Sequence, residues 1–233
     1  MLRNITAIIV AFLVINVANA SVILNNTRIV IDNAKMEKNV QFTNSGDNPV
    51  LVQIQAQENG ENDCPPFIAL PAVFRMLPGA GQTVKVSLTK RDIPKDRESL
   101  FYMDYIEVPS VKKDDQNRNK LYLIIRSRVK VIFRPEGLVF SVNKLHKQLS
   151  YEQFGNIVTI KNNSPFYANI RSFYLTGKTG NINYPGSVTV PPYGESRVQV
   201  KKVGETYAGL KMTALIINDF GADEKVDIAK KIT

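Results

Sequence analysis

The side chains that most often carry reaction chemistry are nearly missing from this sequence. His146 is its only histidine and Cys64 its only cysteine. A metal cluster built from several His and Cys ligands is thereby excluded, and so is an intramolecular disulfide. A Ser-His-Asp triad would have to rest on His146 alone, with no nucleophile-elbow sequence near it. His146 therefore reads as a surface or loop histidine, and Cys64, beside Pro65-Pro66, as an unpaired thiol. Gly79-Ala80-Gly81 is half of a dinucleotide loop, but no helical pattern follows it, so it reads as a hairpin turn. Asp114-Asp115 lies in the polar, charged stretch 111–120 and reads as solvated. No catalytic residue, metal ligand or cofactor site is assigned, and the chain reads as a non-enzyme.

The unusual chemistry is in residues 120–135, Lys-Leu-Tyr-Leu-Ile-Ile-Arg-Ser-Arg-Val-Lys-Val-Ile-Phe-Arg-Pro. A β-strand sends alternate side chains to opposite faces. One face then carries Leu121, Leu123, Ile125, Ser127, Val129, Val131 and Phe133. The other carries Tyr122, Ile124, Arg126, Arg128, Lys130, Ile132 and Arg134. The second face is too cationic to be buried without anions. At a sheet edge such a strand is an aggregation hazard unless its use is to pair with another chain. It reads equally as an interior strand whose charges lie on the solvated side.

The surrounding pattern is one of short strands and turns. Apolar, alternating or β-branched runs occur at 21–24, 28–31, 40–43, 50–57, 83–88, 100–108 and 121–133. Turn clusters such as Asn44-Ser45-Gly46-Asp47-Asn48-Pro49 separate them. Pro135 and Gly137 stop and bend the chain, and a second series follows at 157–160, 168–175, 187–190, 197–200 and 210–217. This rhythm predicts an all-β protein of two sandwiches joined near residue 136, with none of the long helices of an α/β fold.

The amino terminus addresses the compartment. Arg3 precedes an apolar stretch at 5–17, and Ala18-Asn19-Ala20 supplies a small-x-small cleavage site. Residues 1–20 thus read as a signal peptide, too short in its apolar part for a bilayer span, and the mature chain as exported with no membrane span. With 30 Lys+Arg against 21 Asp+Glu the chain carries a formal +9. In an exported protein this favours a partner carboxylate or an anionic surface over nucleic acid.

Asp96-Arg97-Glu98-Ser99-Leu100-Phe101-Tyr102, followed by Ile106-Glu107-Val108-Pro109, resembles the signature of the periplasmic pilus-assembly chaperones, the PapD-like family. Thr27-Arg28-Ile29-Val30, the proline-rich 66–71 and 75–79, Asn163-Ser164-Pro165-Phe166-Tyr167, Pro191-Pro192-Tyr193-Gly194 and Ile217-Asn218-Asp219-Phe220-Gly221 agree with it in order. The resemblance spans the mature chain. It implies two immunoglobulin-like β-sandwich domains in an L-shaped arrangement, residues 21–136 and 137–233. The implied function is to bind, fold and cap pilus subunits by donor-strand complementation in the periplasm and deliver them to an outer-membrane usher.

Residue roles follow from the same resemblance. Arg28 and Lys130 would anchor the subunit's carboxylate, and Leu121, Leu123 and Ile125 would be the donated side chains. Glu98, Arg134 and Asp219 would form an inter-domain salt bridge. The single cysteine and modest loop at 111–120 place the chain with the short-loop, disulfide-free branch. Self-association of the free chaperone through its exposed strand stays open. The competing reading is a secreted immunoglobulin-like binding module or a structural pilus component.

Overall fold

The computed structural model describes residues 22–32, 36–57, 66–89, 92–110, 123–177, 180–200 and 211–231. Residues 1–20, Cys64, Leu121 and the stretch 111–120 lie outside these. The first half forms nine strands: β1 (Val22–Leu24), β2 (Arg28–Asp32), β3 (Glu37–Asn44), β4 (Val50–Gln57), β5 (Phe67–Leu70), β6 (Val73–Met76), β7 (Gly81–Leu88), β8 (Ser99–Pro109) and β9 (Ile125–Arg134). The second half, after a 3-10 helix at Val142–Gln148, forms eight more. They are β10 (Leu149–Phe154), β11 (Ile157–Asn162), β12 (Ala168–Gly177), β13 (Gly180–Tyr184), β14 (Val188–Val190), β15 (Glu195–Gln199), β16 (Lys211–Ile217) and β17 (Asp223–Lys230).

In the first half a four-stranded sheet, β1-β3-β7-β5, faces a five-stranded one, β2-β9-β8-β4-β6. The period-two pattern explains the layering: Val50, Val52 and Ile54 of β4 point inward while Leu51 and Gln53 point out. The core closes on Phe42, which meets Phe74 and Tyr105 edge-on at 5.7 and 5.3 Å between ring centroids. β1 and β2 are consecutive yet belong to different sheets, so the chain crosses the sandwich between Leu24 and Arg28. The Gly79-Ala80-Gly81 turn does the same. It is not a hairpin, because β6 pairs with β4 and β7 pairs with β3. The turn must therefore carry the chain from one sheet to the other, and Gly79 takes φ +71° to do so.

The second half is wound from a single continuous pairing path, β13-β12-β16-β17-β10-β11-β15, with β14 also on β12. β17 joins its two layers, antiparallel to β16 on one side and parallel to the start of β10 on the other. Its core is separate, built on Tyr151, Ile160, Phe173 and Met212 among others. The protein is thus all-β in two sandwiches, and no helix among the described residues is long and apolar enough to cross a membrane.

Because the two cores share no residue, a cavity in one should register there first. Phe42→Ala removes a fully buried ring and is expected to cost about 3–5 kcal/mol. Urea unfolding followed separately in each half should show the first sandwich's midpoint falling well below that of the second.

Candidate functional site

β2 runs parallel to β9 and its first residue, Arg28, lies directly opposite Lys130. Parity then puts both side chains on the same face, away from the first core and toward the second sandwich. There the Lys130 ammonium donates to Asn169 Oδ1 at 2.6 Å and Thr189 Oγ1 at 2.5 Å, while Arg28 donates to the Ile217 carbonyl at 3.1 Å. Arg28 is only 7% exposed and its Nε has no partner. No carboxylate among the described residues forms an ion pair with either cation.

Two adjacent cations without a directly bonded anion are only partly compensated. Burial, and secondarily the neighbouring Arg28, pushes the Lys130 ammonium down to about 8. Burial lowers Arg28 as well, against the pull of Asp219 and Glu98. An incoming carboxylate would relieve both at once, through charge-assisted hydrogen bonds.

Next to this pair the structure brings Glu98, Arg134 and Asp219 together. Arg134 donates through Nε to Glu98 at 2.7 Å and through both terminal nitrogens to Asp219 at 2.6 and 2.9 Å. Its guanidinium also lies over the Phe166 ring, 5.3 Å from the centroid. Burial alone would lower the Arg134 guanidinium, but the two carboxylates outweigh it and hold the group above its ordinary range. Glu98 is pinned further by the Tyr167 amide at 2.7 Å, and its own amide donates to the Pro165 carbonyl at 2.9 Å. Glu98 and Arg134 come from the first sandwich, and Asp219, Phe166, Tyr167 and Pro165 from the second.

Asp219 sits on a turn shaped by Asn218, whose Oδ1 accepts from the amides of Phe220 and Ala222, each at 3.0 Å. Gly221 of that turn has φ +85°, and a Cβ there would fall 2.2 Å from Thr27 Oγ1. The turn therefore bears directly on the crossing between β1 and β2. His146 is half-buried in the 3-10 helix and lines the same cavity as Arg28, Arg134 and Asp219.

The strand β9 answers to both of its sequence readings. From Lys130 to Arg134 it is interior, between β2 and β8. From Ile125 to Val129 only β8 pairs with it among the described residues, and its other edge is open. The anion expected on the cationic face is Asp104 of β8, fully buried, which takes a two-pronged bond from Arg128 at 2.7 and 2.9 Å. That bond holds the Asp104 carboxyl below its usual range. Leu123 is 67% exposed and lies just ahead of β9, and Ile125 is exposed at its start. Leu121 lies outside the described residues.

Two family models cover nearly all of this architecture. Residues 21–139 match the pili and flagellar-assembly chaperone PapD N-terminal domain, and residues 143–228 the pili assembly chaperone PapD C-terminal domain. The chain belongs to the PapD family of pilus-assembly chaperones. Among curated relatives, chaperone protein MrkB of Klebsiella pneumoniae is 30% identical, over 91% of this chain and 92% of its own. Chaperone protein FimC of Escherichia coli K12 is 29% identical over 91% and 85%. The solved YadV chaperone superposes with a TM-score of 0.77 at 26% identity, covering 90% of this chain and all of that one. The SafB chaperone of Salmonella enterica, solved in complex with the SafA pilin, shares the fold at a TM-score of 0.74 and 24% identity, over 92% and 98% of the two chains. The PapD-family assignment makes the protein a chaperone of pilus assembly and not an enzyme.

Arg134 is the group whose loss should be felt most in this region. Arg134→Ala leaves the Glu98 carboxylate, 1% exposed, without its counter-ion. Breaking a buried pair from one side typically costs about 3–5 kcal/mol. The chemical-denaturation midpoint should drop accordingly, and small-angle scattering should register a changed angle between the sandwiches.

Proposed function

We propose that this chaperone captures pilus subunits in the periplasm by adding a subunit strand to the open edge of β9, with Arg28 and Lys130 gripping the subunit's terminal carboxylate. Residues 21–136 and 137–233 are the two working domains, and Leu121, Leu123 and Ile125 supply the donated side chains. The signal-peptide pattern at 1–20 supports the periplasmic address, and the pilin-bound state of SafB supports a subunit as partner. Delivery to an outer-membrane usher follows from the family resemblance.

One observation carries this reading: β2 starts at the Arg28–Lys130 rung, and the edge of β9 is open on the other side of that rung. A guest strand in the vacant place lies end to end with β2. If it runs parallel to β9, its carboxyl terminus meets the two cations. If it runs antiparallel, its ammonium terminus meets them instead and is repelled. Charge thus selects a parallel strand ending in a free carboxylate, and the fixed carboxylate sets which guest side chains lie beside Leu123 and Ile125. The trio Glu98, Arg134 and Asp219 holds the domain carrying Asn169 and Thr189 against the domain carrying Lys130.

Co-expression with a pilin from the same bacterium tests the anchor. Arg28→Ala and Lys130→Ala should fold and yet recover little or no soluble pilin from periplasmic extract. Undiminished pilin recovery with both would remove the anchor assignment. Since Lys130 must be protonated to hold a carboxylate, capture should weaken as pH rises through about 8. Lys130→Arg, charged throughout, should flatten that profile.

The strand itself is tested by Leu123→Glu. The exposed position makes unfolding of the free chaperone an unexpected result, while a buried charge in the subunit groove should cut affinity at least about tenfold. Wild-type affinity in this variant would rule out donation of Leu123.

A further inference from the structure

The Lys130 ammonium has three N–H donors, and two of them are already committed to the second sandwich. The acceptors stand on one rung: Asn169 of β12 is the register partner of Thr189 of β14. Along β12, Ala168 and Ile170 turn into the second core, so Asn169 between them faces the opposite way, toward Lys130. Asn169 is only 3% exposed although it is polar and outside that core. The Thr189 hydroxyl lies 3.4 Å from Asn169 Oδ1 and can donate to it, which leaves the hydroxyl oxygen's lone pairs for the ammonium. The arrangement is a built cradle for one cation.

We infer that Asn169 and Thr189 are positioning residues of the carboxylate anchor, a neutral cradle that aims the Lys130 ammonium at the subunit terminus without cancelling its charge. The inference rests on the anchor reading above. Its physical content is the choice of acceptor. A carboxylate in the place of Asn169 would hold the ammonium as firmly but would satisfy its charge, leaving little attraction for a ligand. Amide and hydroxyl oxygens fix direction and leave the full positive charge, with one N–H free. Arg28 is treated in the same way, since its tether is the neutral Ile217 carbonyl. Each cation stands on the first sandwich and is aimed by the second, so the anchor is assembled only when the two are docked.

The test compares two synthetic peptides carrying the C-terminal strand of the co-expressed pilin, one with a free carboxylate and one with a terminal amide. Their affinities for the mature chaperone are measured by calorimetry at pH 7. The wild type should favour the carboxylate peptide by about tenfold or more, as charge-assisted bonds of this kind warrant. Asn169→Asp, which keeps the side-chain shape, should bring the carboxylate-to-amide ratio close to one. Asn169→Ala and Thr189→Val should lower that ratio by about threefold to tenfold, while Thr189→Ser keeps it. In a Lys130→Ala background none of these changes should move the ratio further. A wild-type ratio in Asn169→Asp overturns the inference, and so does a parallel loss of both peptides, which would mark a merely structural role. If the wild type itself does not distinguish the peptides while Asn169→Asp also binds them equally, the anchor reading has failed and this inference falls with it.

Discussion

A single rung of parallel pairing, Arg28 opposite Lys130, organises the functional end of this molecule. It exists because the chain leaves the four-stranded sheet after β1 and enters the five-stranded one at β2. That crossing brings one cation beside another on the same face. It also ends β2's coverage of β9 there, so that charge and open edge become neighbours by construction. An edge that can pair and a fixed point from which pairing can be counted thus stand side by side. Without the fixed point, an edge strand is promiscuous in register and a hazard in solution.

Holding two cations together in a half-buried wall is costly, and the free protein bears the cost in a depressed Lys130. The compensation is spread over the second sandwich. Neutral oxygens from Asn169, Thr189 and Ile217 take some of the donors, and Asp219 and Glu98 bring negative charge close through Arg134. The buried ion cluster is worth little as net stabilisation, since desolvation offsets much of its attraction. Its geometry matters more. Arg134 has to reach a carboxylate in each sandwich, and the five donors of a planar guanidinium allow only a narrow range of docking angles that satisfy both.

The sequence showed the sheets better than the cleft. β4 and β9 alternate, β8 is a long run rich in apolar and aromatic residues, and all three stand out at once. β17 does not, because Asp223–Lys230 turns only Val226 and Ile228 inward and, Ala229 apart, is otherwise charged. β13 offers just Ile182 and Tyr184, and β5 and β6 are four-residue strands beside prolines. The cleft depends on residues far apart along the chain, 36 positions between Glu98 and Arg134 and 85 between Arg134 and Asp219. Spacing cannot reveal such partners, and their roles entered by family resemblance. Asn169 and Thr189 gave no signal at all, because a neutral polar residue in an alternating strand looks the same whether it meets water or an ammonium. Asp104 was hidden for a related reason: the cationic face of β9 called for an anion, but nothing said which strand would supply it.

The contact of Gly221 with Thr27 makes the junction a fulcrum. The two sandwiches meet there, and a gap opened by one methyl group grows with distance from it. The distance from Lys130 to Asn169 and Thr189 lies on that lever. The exchange of one hydrogen for a methyl group at Gly221 thus bears on whether Lys130 faces Asn169 and Thr189 or misses them.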